Sequence, residues 1–134
     1  MTMPLSEAIR LGAMLLPQSD NYLDEPWNGT ARGLPTGCCA LGGAALACGF
    51  NRKRDGGVLP FVFHRWGDIL RLHVPHPVYG SYFCTVHDII DGLNGSIVHH
   101  WTRERIADFV EHIEKQAQAL DSLTAEERTV AHVE

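Results

Sequence analysis

Two pairs of residues at a spacing of three, His73-Val-Pro-His76 and Cys84-Thr-Val-His87, are separated by only seven residues. The x₂ spacing lets both side chains of a pair reach one ion, and imidazole nitrogen with thiolate sulfur suits tetrahedral zinc. His73, His76, Cys84 and His87 therefore form a candidate metal set. The connecting loop from Val74 to Phe83 has few apolar residues and two prolines, so on this reading the ion would hold it. The plainer reading makes the three histidines partly exposed loop residues and Cys84 a small buried hydrophobe. A second constellation is the adjacent pair Cys38 and Cys39, which follows a Gly-containing turn at the start of an Ala/Gly helix. A helix N-terminus favours the nucleophilic thiolate, so a cysteine-dependent hydrolase or transferase would place its nucleophile there, with a histidine within reach. The alternative is core packing by two small side chains.

These residues are positioned by helices. Trp101, Ile106, Phe109, Val110 and Ile113 fall on one helical stripe, Thr102 is a natural N-cap, and Glu104 sits in the first turn, which predicts a helix to about Leu120. Residues 6–16 form a first helix stopped by Pro17. Gly37 to Cys48 reads as a second, capped by Thr36 and ended by Gly49, with Gly42-Gly43-Ala44 marking the close approach of a neighbour. A third opens at Leu59-Pro60, a short fourth follows Thr85-Val-His-Asp88 and closes at Asn94-Gly95, and residues 125–132 form a terminal helix that frays. Gln18 to Thr36 is a long turn-rich loop anchored by Tyr22, Leu23 and Trp27. Trp101 is expected to pack against Leu11, Met14 and Leu15. The architecture is mainly α, a single domain over residues 1–134 with about five helices and long irregular loops.

Composition narrows the function. At 134 residues and 45% hydrophobic, the chain supports one core. A formal charge of −5 with 11 Lys and Arg argues against a nucleic-acid partner. Thr102-Arg-Glu-Arg-Ile-Ala opens like the first helix of a helix-turn-helix, yet the helical pattern continues past residue 111 with a single lysine and no glycine. The basic run Asn51-Arg-Lys-Arg54 reads as a solvated loop, with a phosphate-binding patch as its alternative. No run of 18 apolar residues and no signal-peptide pattern are present, so a cytoplasmic protein without a membrane partner is expected.

Three segments, Leu5-Ser-Glu-Ala-Ile-Arg-Leu-Gly-Ala-Met-Leu15, Cys39-Ala-Leu-Gly-Gly-Ala-Ala45 and Trp101-Thr-Arg-Glu-Arg-Ile-Ala-Asp-Phe-Val110, resemble a group of small uncharacterised bacterial and phage proteins. The resemblance implies no activity. Its members carry a Cys-Pro-x-Cys pair and an Asn-Asp turn suggestive of a metal knuckle; here His73 and His76 stand in the place of those cysteines, and Leu93-Asn-Gly95 replaces the turn. The expected function is a small non-enzymatic interaction or regulatory module with a protein partner and a zinc-stabilised loop. The alternative is an enzyme using Cys38 or Cys39.

Overall fold

The computed structural model describes residues 2–23, 35–95 and 100–121. Six helices and one two-stranded sheet follow in the order α1 Leu5–Ala13, α2 Ala40–Ala47, α3 Arg52–Asp55, α4 Val58–Leu70, β1 His73–Pro75, β2 Phe83–Thr85, α5 Val86–Gly95 and α6 Arg103–Asp121. The domain is mainly α, as its periodicity predicts. The expected helix over residues 125–132 and the anchor Trp27 lie outside the described residues. Among the described residues no helix is long and apolar enough to cross a membrane.

The core is built around α2, which is buried from Ala40 to Ala45 and packs against α1, α4 and α5. Small side chains make this possible. A Cβ built on Gly12 of α1 would lie 2.2 Å from the Gly43 carbonyl carbon, and one on Gly42 would lie 1.6 Å from the Tyr22 carbonyl oxygen. Glycine is required at both, because the obstacle is backbone. The close approach expected at Gly42-Gly43 is therefore present, with α1 on one side and the Tyr22 strap on the other.

α1 buries Leu5, Ser6, Ala8, Ile9 and Gly12, a stripe at i, i+3, i+4 and i+7 joined by Ser6. Leu11, Met14 and Leu15, expected beneath Trp101, are instead exposed, Met14 by 82% and Leu15 by 57%. The helix ends at Ala13, and Leu5 and Ile9 with the small residues Ser6, Ala8 and Gly12 make the buried face. Half-buried Trp101 packs on the core while Arg105 lies 3.9 Å over its ring.

α6 buries Ile106, Ala107, Val110 and Ile113, and Thr102 Oγ1 accepts from the Arg105 N–H as the expected cap. A salt bridge network fastens α6 to α1: Arg10 meets Asp108 and Glu111 at 2.7 Å each and Glu104 at 3.2 Å. α4 is kinked at Trp66, whose φ −126° and ψ 26° leave the helical region, and whose indole N–H donates to Met3 O at 2.7 Å. The basic run forms a one-turn helix, α3, where a loop was expected, because Asn51 Oδ1 accepts from the Arg54 N–H.

Candidate functional site

The strand β1 pairs antiparallel with β2 in the register His73↔Thr85, Val74↔Cys84 and Pro75↔Phe83. Side chains alternate across a strand, so His73 lies on the face of Thr85, whereas Cys84 shares the opposite face with Val74 and packs on the core. His76 turns back on its own loop, where its Nδ1 accepts from the Val78 and Tyr79 N–H groups at 3.1 and 3.2 Å. His87, in the first turn of α5, has Nε2 3.0 Å from Asp91 Oδ2 and its ring edge against Phe63. His73, His76, Cys84 and His87 are thus not gathered around one point. Among the described residues no three His, Cys, Asp or Glu side chains form a group that could hold a metal ion.

Backbone hydrogen bonds close the loop. His76 N donates to Tyr82 O and Tyr82 N to Tyr79 O, both at 2.8 Å, which extends the two-strand ladder into the turn. The expectation that this segment lacks backbone order of its own is corrected: it is a hairpin.

Cys39, not Thr36, caps α2. Its Sγ accepts from the Gly42 N–H at 3.5 Å in extended backbone geometry. Burial pushes the Cys39 thiol up to about 11, and nearby Asp91 adds to this, against the lowering by the Gly42 and Leu41 N–H groups. Desolvation therefore outweighs the helix N-terminus, and the expected thiolate is not favoured at this cysteine. Cys38 is fully buried. Arg103, only 8% exposed, donates to Cys38 Sγ from Nη1 and to Ala13 O from Nη2, both at 3.4 Å. The backbone of Cys38 is held between Pro17 O and Ser19 N. Cys39 thus caps α2, and Cys38 is buried beside Arg103.

Two polar groupings escaped the sequence reading. Asn94, buried in the last turn of α5, accepts from Ala40 N and Gln18 Nε2 and donates to Ser19 O. It joins the segment after α1 to the start of α2; Asn94-Gly95 does close α5 at Gly95, as its sequence predicts, and the tertiary bonds of Asn94 are what that signal leaves out. Tyr22 Oη donates to Asp91 Oδ2 at 2.8 Å and lies 3.4 Å from His87 Nε2. Burial raises both the Tyr22 phenol and the Asp91 carboxyl, so this cluster fastens the strap over α2 while disfavouring charge.

The hairpin also carries what the core does not use. Tyr79, Tyr82 and Phe83 are exposed by 54%, 61% and 62%, with Val78 and Leu72 beside them. From Leu72 to His87 the chain contains no Asp, Glu, Lys or Arg. That absence was visible in the sequence and could have pointed to this surface. Compared with protein-family models, with curated proteins and with solved structures, the chain matches none.

Proposed function

We propose that this protein is a non-enzymatic binding module that engages a protein partner through the β1–β2 hairpin. The observation that carries the reading is the cluster of exposed Tyr79, Tyr82 and Phe83 on a segment with no charged side chain. Interface centres are depleted in charge and enriched in aromatics, and Tyr is among the residues that most often dominate binding energy. The hairpin's own hydrogen bonds support this role, since a preformed turn loses less entropy on binding than a loop that must order. Pro75 and Pro77 offer no N–H for strand addition, so recognition would run through side chains. None of the four cysteines is in a disulfide, in keeping with a reducing, cytoplasmic setting for the interaction.

The enzyme alternative has less support. Cys39 combines burial with a raised thiol value, and Cys38 is fully buried against Arg103.

The test is site-specific photocrosslinking in cells producing the full chain, with the photoreactive side chain at Tyr82 or, as control, at exposed Gln116 of α6. The reading expects one reproducible protein adduct from position 82 that is absent from position 116 and abolished by Tyr79→Ala with Phe83→Ala. Indistinguishable adducts from the two positions would sink it.

A further inference from the structure

A second surface, in the segment that leads into the hairpin, has different chemistry. Residues 52–71 contain five of the eleven Lys and Arg and only two acids, in a chain whose net charge is −5. Within this stretch α3 and the first turns of α4 border an open cleft of about 890 Å³, lined among others by Cys48, Arg54, Asp55, Phe61, His64 and Arg65. That volume lies in the range of small-molecule sites.

Its cations are not equivalent. Arg54 is committed: Nε and Nη2 meet the Asp55 carboxylate at 3.0 and 2.9 Å, and Nη2 also reaches Gly49 O at 2.7 Å. The pair neutralises itself and forms a fixed wall. Arg65 is held without being consumed. Its guanidinium lies over the Phe61 ring, 5.0 Å from the centroid, and its one hydrogen bond among the described residues is a 3.5 Å contact to Cys48 O. A guanidinium carries five N–H donors in a planar fork, so most of Arg65's capacity is open to the cleft. His64, exposed at the rim, is bonded to no other described residue. Phe61 is itself steadied by Phe50, the two rings nearly perpendicular with centroids 5.5 Å apart.

The geometry points to a binding site for a small anion carrying a flat apolar body, an aryl phosphate or aryl carboxylate. The anionic group meets the Arg65 fork and His64, and the ring packs on Pro60 and the part of Phe61 that lines the cleft beside the guanidinium. The space exceeds what one phosphate group fills, which is why an apolar body is part of the assignment. Stacking on Phe61 pre-orients the fork, so little side-chain freedom is lost on binding.

The full chain, isotope-labelled, is titrated with phenyl phosphate, benzoate and inorganic phosphate while its amide resonances are followed. The site requires saturable shifts at residues 48–55 and 61–65 with an aryl anion, and binding of inorganic phosphate roughly ten-fold weaker. Whichever of phenyl phosphate and benzoate binds tighter identifies the anionic group. Arg65→Ala should weaken binding by roughly ten- to hundred-fold, the equivalent of losing a charge-assisted hydrogen bond, with an unchanged melting temperature. Arg105→Ala, which removes a comparable cation from the Trp101 ring, should bind like the wild type. No saturable shift with either aryl anion, equal affinity for inorganic phosphate, or full affinity in Arg65→Ala would each overturn the assignment.

Discussion

The α1–α2 crossing and the β1–β2 hairpin invert the usual placement of large and small side chains. At the crossing the backbones of Gly12 and Gly43 meet with nothing between them, and around them Ala8, Ala40, Ala44 and Ala45 are fully buried. At the hairpin, Tyr79, Tyr82 and Phe83 face solvent. Glycine and alanine contribute little transfer free energy per residue, so the crossing gains through close packing and dispersion, which require exact fit. The hairpin gives up the burial of three aromatic rings within this chain. One region therefore tolerates almost no change in shape, and the other leaves its largest apolar surfaces available to something else.

The sharpest way to break this contrast is one methyl group. In Gly12→Ala the new Cβ would meet the Gly43 carbonyl carbon, oxygen and Cα at 2.2, 2.3 and 2.6 Å, all backbone, so the helices must separate. The expected cost is about 3 kcal/mol, the upper part of the overpacking range, read as a fall in the urea midpoint with the slope preserved. Gly43→Ala is expected to be much milder. Its Cβ would lie 3.1 Å from Cys38 Sγ and 3.2 Å from Gly12, contacts relieved by small shifts, and alanine recovers about 1 kcal/mol of helix propensity. Equal stability of Gly12→Ala and wild type would mean that the two helices do not touch here.

The crossing was half legible in sequence, and the reason is physical. Gly42-Gly43 in an apolar helix announces a close approach, but nothing in the residues names the partner as Gly12, because glycine carries no hydrophobic signal. Leu5 and Ile9 lie on the buried face of α1 in step with their period, but Leu11, Met14 and Leu15 do not, and Ala8 and Gly12 complete the face instead. α6 was legible because Ile106, Val110 and Ile113 are large and the helix is long enough for their period to show. The ligand spacing of His73, His76, Cys84 and His87 was real, yet spacing along a loop says nothing about the pleat. Once β1 and β2 pair, alternation sends His73 and Cys84 to opposite faces. Asn94 was hidden because Asn-Gly is also a turn signal, and only its burial reveals three tertiary hydrogen bonds.

The crossing is sharpened further at its capped end, where Cys39 makes stability depend on alkaline pH. Burial holds the folded thiol near 11 against an ordinary value of 9.0. Below pH 9 the thiol is protonated in both states and its contribution is complete. As pH rises from about 9 to about 11, the unfolded chain releases the proton and the native chain does not, so stability is lost across that window. The expected loss is about 1–3 kcal/mol, and the Tyr22 phenol, also raised by burial, adds a loss of the same sign at the upper end. Cys39→Ser keeps a capping oxygen and removes the thiol titration, so its profile should be flatter between pH 9 and 11. Urea midpoints measured along this range check the point, and a flat wild-type profile would show that the thiol is solvated in the native state.

The smallest expected effect tests the other side of the comparison. If the hairpin aromatics are displayed and not packed, removing one should leave the fold almost untouched. Tyr82 is 61% exposed, and the hairpin relies on its main chain: its N–H donates to Tyr79 O and its carbonyl accepts from His76 N. Tyr82→Ser preserves both bonds and loses only the ring's loose contact with His76, whose centroid is 6.5 Å away. The change in unfolding free energy should stay within about 0.5 kcal/mol, as for ordinary surface positions. Cys84→Ala, one face over, removes a half-buried sulfur that packs on the core and should cost more than Tyr82→Ser despite being the smaller deletion. Chemical denaturation of the two variants side by side decides it. Were Tyr82→Ser the more damaging, the ring would have to be buried within this chain, and the hairpin would belong to the core after all.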